Sequence, residues 1–150
     1  MANVSDIANW FLSKASMTPK KLQKLCYYYK AWGLALYDED LLPTAEFQAW
    51  VHGPVCPELY QEYKDYGWNE IPQYVGTLFA FTDKEIEVLE SIWLTYGDMS
   101  ANALEAQTHK ESPWRNARIG LGEFESSEEP IKNDDMQRFY RELYAQMQED

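Results

Sequence analysis

Apolar residues return at intervals of three and four along most of this chain, the spacing that places them on one face of an α-helix. From about Val4 to Ala15, the residues Val4, Ile7, Ala8, Phe11 and Leu12 share such a face, with Asn3 or Ser5 placed to cap it. Met17-Thr18-Pro19 then reads as a helix start, with Thr18 at the N-cap and Pro19 at the first helical position. The helix it opens runs to about Tyr37 and gathers Leu22, Leu25, Cys26, Tyr29, Trp32, Gly33 and Leu36 on one side. Only a strip of Lys20, Gln23, Lys24, Tyr27 and Lys30 is left to face water. A helix apolar nearly all round belongs at the centre of its fold.

Beyond a turn at 38–44 the pattern changes. Glu46 to His52 alternates weakly and predicts a short strand or extended segment. Gly53-Pro54 predicts the start of a helix that ends near Tyr66, before Gly67, with Val55, Leu59, Tyr60 and Tyr63 at helical spacing. Residues 68–81 hold Pro72 and Gly76 and read as a loop, with a short strand at 76–81 at most. Thr82 and Glu85 form a capping box that opens a helix to about Tyr96. Ser100 caps a shorter helix through Thr108, and Ser112-Pro113 starts one or two turns carrying Trp114 and Arg118. After a loop at 120–130, Asn133 is expected to cap a last helix with the stripe Met136, Phe139, Tyr140, Leu143 and Met147. No repeat or linker divides the chain. The sequence therefore predicts a single mainly α domain over 1–150, with six to seven helices and at most a small β element near 46–52 and 76–81.

Charge narrows the choice of partners. The 150 residues carry a formal net charge of −12, a balance that argues against direct binding of nucleic acid, whose affinity comes from Lys and Arg. A basic protein surface is the better electrostatic match. Six Trp, eleven Tyr and six Phe are many for one small core, and Tyr and Trp left on a surface favour protein contacts. Two cysteines are too few for a disulfide scaffold. Residues 1–16 contain Asp6 and no continuous apolar stretch, so no secretory signal is expected. The run from Leu25 to Tyr37, broken by Lys30, is shorter than the roughly 20 residues of a spanning helix. The expectation is a cytoplasmic protein with no membrane partner.

The usual signatures of catalysis are missing. There is no phosphate-binding glycine loop, no H-E-x-x-H and no G-x-S-x-G elbow. His109-Lys110-Glu111 matches half of a zinc-deaminase motif, but no cysteine follows Cys56 to complete it. His52 and Cys56 straddle a Gly-Pro boundary and do not make a metal pair, so no metal or cofactor is expected. One enzymatic alternative remains: Cys56 in a first helical turn, paired with His52 or His109.

Three blocks carry a resemblance. Residues 17–32, MTPKKLQKLCYYYKAW, resemble the pattern L-T-x-x-K-L-Q-K-L-x-Y-[YF]-x-x-x-W. Residues 47–60, FQAWVHGPVCPELY, are similar to F-x-A-W-x-x-G-P-V-x-P-x-[LV]-Y, and residues 108–118, THKESPWRNAR, to T-H-x-E-x-P-W-x-x-[AT]-R. In that order and spacing they resemble the Panacea-domain antitoxins, the SocA-like and phage-associated GepA-like proteins. The resemblance implies an antitoxin that binds and neutralises a cognate protein toxin, a translation inhibitor or nucleotide-modifying enzyme, with no enzymatic activity of its own. It also implies an alternative, an adaptor that delivers its toxin to a host protease. Within the blocks, Leu22, Leu25, Tyr29, Trp50, Gly53, Pro54 and Trp114 are explained as fold-maintaining. Gln23, Lys24, Tyr27, His52 and His109 are harder to explain as core and are candidates for partner contact. Glu111 is placed to reach backbone donors or Arg118.

Overall fold

A 19-residue helix, α2 (Pro19–Tyr37), runs through the middle of the computed structural model, which describes residues 1–149. Thr18 caps it by accepting from the Lys21 amide at 3.2 Å, and Asp38 ends it in the left-handed region at φ 54°. Every residue from Leu22 to Ala35 is buried. The strip expected to face water therefore does not: Gln23, Lys24, Tyr27 and Lys30 are all interior. Other elements cover that side, and each polar end is met by a specific partner, as Lys30 is by Asp40 at 2.9 Å and by the Leu42 carbonyl. Leu36, expected on the apolar side, is exposed.

The remaining helices pack around α2. Asn3 and Asp6 form a capping box at the start of α1 (Val4–Lys14), and Thr82 and Glu85 form another at α4 (Asp83–Tyr96). Ser100 caps α5 (Ala101–His109). Between these lie α3 (Pro57–Tyr63), continued by a 3-10 turn at Lys64–Tyr66, and, after α5, the short α6 (Ser112–Asn116). The last helix, α7 (Asn133–Gln148), lays Met136 and Tyr140 against α2. Its N-cap is Lys132, without a side-chain cap; Asn133 is the first helical residue, and its amide donates to Asp40 at 3.1 Å instead. Met147 lies exposed at the end of the expected stripe.

Among the described residues the only sheet is a hairpin of β1 (Gln48–Trp50) and β2 (Gly53–Val55), paired Gln48 to Val55, Ala49 to Pro54 and Trp50 to Gly53. Val51 and His52 form its two-residue turn. The partner strand is thus residues 53–55, which were expected to begin a helix, while 76–81 is irregular. Gly53 sits at φ +110°, an angle Gly adopts freely, and Pro54 loses no ladder bond because its partner Ala49 points its polar groups outward. The Ala49 amide donates to Glu129 at 2.9 Å, and its carbonyl accepts from Arg118 at 2.8 Å. The helix signal belongs one step later, to Cys56-Pro57. On the outer edge of β1, Ile131 donates to the Phe47 carbonyl at 2.8 Å, so that edge is closed by the chain leading into α7.

Candidate functional site

The three sequence blocks converge on the hairpin. Gln23, on α2, uses its amide as a strand would: Nε2 donates to the Cys56 carbonyl at 3.1 Å and Oε1 accepts from the Cys56 amide at 2.9 Å. Cys56 caps α3 without a side-chain bond, so Gln23 ties the junction of β2 and α3 to the central helix. One residue on, the Lys24 ammonium donates to the Pro54 carbonyl at 3.2 Å. Gly53 lets the hairpin come this close, because a Cβ there would stand 2.6 Å from Lys24 Cε and 3.1 Å from Thr108 Oγ1. From the third block, Trp114 donates its indole N–H to the Trp50 carbonyl at 2.8 Å and stacks on His109 with ring centroids 3.9 Å apart.

Glu111 does not reach Arg118. Its carboxylate is buried and accepts from Tyr28 and Tyr140, each at 2.8 Å, and from Gln107 at 3.0 Å, joining α2, α5 and α7. Burial raises its pKa, and the three hydrogen bonds oppose that rise. Tyr140 spends its one proton on Glu111, so Tyr27, 3.0 Å away, must donate to Tyr140. Arg118 instead donates to the carbonyls of Ala49, Gly122 and Glu125, which pins the 120–130 loop against β1.

Of the five contact candidates, then, three are interior. Gln23, Lys24 and Tyr27 are 4 %, 1 % and 1 % exposed, and each polar end is bonded as above, Lys24 through a single acceptor. His52 projects from the hairpin turn into solvent, 3.4 Å from Glu105. His109 is half-buried, and its Nε2 lies inside without a hydrogen-bond partner; burial lowers its pKa. Leu22, Leu25, Tyr29, Pro54 and Trp114 are buried, Gly53 with them, and Trp50 is half-buried. Cys56 is buried and its thiol pKa is raised by that burial, the opposite of what an activated nucleophile requires. Among the described residues no three His, Cys, Asp or Glu side chains group as a metal would need.

What the structure adds is an open groove of ≈ 400 Å³ beside this cluster. The start of α2 forms one wall with Leu22, Gln23 and Lys24, the hairpin another with Trp50, His52 and Val55, and α3 the third with Leu59, Tyr60 and Tyr63. Lys64 and Trp68 stand at the mouth. The Lys24 ammonium is pushed down to about 7 by burial, with Lys20 lowering it further and Glu105 opposing. Burial works to raise the Glu105 carboxyl, but hydrogen bonds from Lys20 and His52 outweigh it and hold the group below its ordinary range. The α3 wall is the part the sequence left unassigned. Val55, Leu59, Tyr60 and Tyr63 read only as a helical stripe, and nothing local marks Tyr60 and Trp68 as exposed aromatics.

The fold and its convergent motif cluster define a mainly α domain organised on a small hairpin. The chain belongs to the family described as antitoxin SocA-like, Panacea domain, whose model matches residues 22–115. No curated protein and no solved structure matches the chain. Among the described residues, no helix is long and apolar enough to cross a membrane.

Proposed function

We propose that the protein is the antitoxin of a toxin–antitoxin pair and silences its cognate protein toxin by direct masking. Its target is a translation inhibitor or a nucleotide-modifying enzyme, and the two meet in the cytoplasm. Membership of the antitoxin family carries this reading. The open groove supports it, since Tyr and Trp at a concave, largely apolar surface are what protein interfaces use as anchors. The net charge of −12 suits a toxin with a basic RNA- or nucleotide-binding face and disfavours direct binding of nucleic acid.

The test is inhibition in a purified system. The product of the neighbouring gene, assayed against a reconstituted translation reaction, should lose its activity at one equivalent of this protein with no protease present. Activity that persists at saturating protein until an ATP-dependent protease is added overturns masking in favour of proteolytic delivery.

A further inference from the structure

The groove differs in charge from the rest of the molecule. The chain has 25 acidic against 13 basic residues, yet the groove is lined by Lys20, Lys24 and Lys64 and by no carboxylate. Lys20 is engaged with Glu105 and Asn102. Lys24 is not so well served: its ammonium has three N–H donors and one acceptor, the Pro54 carbonyl. A buried amine short of acceptors is held in its ammonium form by an anion brought to it by an otherwise apolar group. The groove's volume falls within the roughly 300–1,000 Å³ of ligand sites, and Leu22, Val55, Leu59 and Tyr63 make its walls apolar. At the mouth, Trp68 is 80 % exposed and Tyr60 41 % exposed, so apolar surface continues past the cavity.

We propose that this groove receives a segment of the toxin in which a bulky apolar side chain stands next to a carboxylate, the side chain filling the cavity and the carboxylate meeting the lysines. This assignment rests on the masking reading above. A protein segment suits the site better than a free nucleotide. The aromatic rim extends the contact beyond one small molecule, and a polyphosphate would meet the field of a chain at −12, which a single carboxylate feels far less.

The experiment titrates the full chain by amide NMR with two peptides, N-acetyl-Trp-Glu-amide and its neutral isostere N-acetyl-Trp-Gln-amide. Both should shift the amides of Val55, Leu59 and Trp68, with the Glu peptide at least threefold tighter. Lys24→Met should bring the two affinities together; the comparison on the unaltered protein stands even if that variant fails to fold. Equal affinities, shifts confined to other surfaces such as Ile119 to Phe124, or no binding at all overturns the proposal. So does GTP occupying the groove in place of the peptides. With the neighbouring gene product, Trp68→Ala and Tyr60→Ala should weaken binding at least tenfold, while Ile119→Ala and Phe124→Ala leave it unchanged. If the unaltered protein inhibits and the two rim variants inhibit equally well, the groove assignment falls and masking stands. If the unaltered protein does not inhibit, masking falls, and the assignment of the occupant to a toxin falls with it.

Discussion

Glu111 stands where three helices meet and accepts from both Tyr28 and Tyr140, and with Tyr27 the three hydroxyls have no acceptor outside their own hydrogen-bonded group to replace it. Truncating it strands two buried hydroxyls, each costing roughly 1–3 kcal/mol, so Glu111→Ala should lose about 3 kcal/mol in a denaturant melt. Glu111→Gln keeps an oxygen for both tyrosines and also removes a charge that burial disfavours. It should melt within about 1 kcal/mol of the unaltered protein at neutral pH. Lys24 supplies the pH-dependent counterpart. Its folded pKa of about 7 lies below the ordinary value of 10.5, so between those limits the unfolded chain binds a proton that the folded one does not. Stability therefore gains from this group as pH rises, by roughly 1.4 kcal/mol per unit at the steepest. The other ionisable groups around it are Lys20 on α2, Glu105 and His109 on α5, and His52 in the hairpin turn. Melts of the unaltered protein and of Lys24→Met between pH 7 and 8.5 should show that gain in the first and not in the second. A parallel pair of curves refutes the assignment.

The elements differ in how plainly the sequence announces them. Helix starts were legible because their caps are local chemistry: Asn3, Thr18, Thr82 and Ser100 each accept the backbone bond expected of them. Strand β2 was not, because Gly53-Pro54 carries the same two residues as a helix start and only the pairing with Ala49 and Trp50 distinguishes it. The buried strip of α2 was hidden for a different reason. Gln23, Lys24 and Lys30 are polar by composition, and their acceptors lie 10 to 33 residues away along the chain, so no periodicity within the helix reveals them. For the same reason the groove was not legible in the sequence, because its walls come from segments far apart along the chain. The hairpin also gives the sharpest test at this scale. Even Gly53→Ala places a Cβ at a positive φ and against Lys24, which should cost on the order of 1–3 kcal/mol in thermal stability. Toxin binding should fall only as far as folding does, so a variant that melts like the parent yet fails to bind would move Gly53 from the frame to the contact surface.

For the molecule as a whole, the charge of −12 acts at long range while the groove acts at contact. Raising salt from low to physiological strength should slow association with a basic toxin while leaving dissociation nearly unchanged, because screening acts on the encounter field before the packed surfaces. Stopped-flow binding at two ionic strengths separates the two rates, and an equal effect on both would remove the steering argument. One further consequence follows from where the fold is closed. Residues 129–131 seal the edge of β1 and Tyr140 donates to the buried Glu111 carboxylate, yet both lie beyond the family-matched segment, which ends at residue 115. On the ribosome, these residues emerge after the matched segment. A chain halted before residue 129 leaves the edge of β1 open and the Glu111 carboxylate without one of its donors. If the proposed toxin stalls translation, an interrupted round of synthesis releases a chain that lacks both contacts.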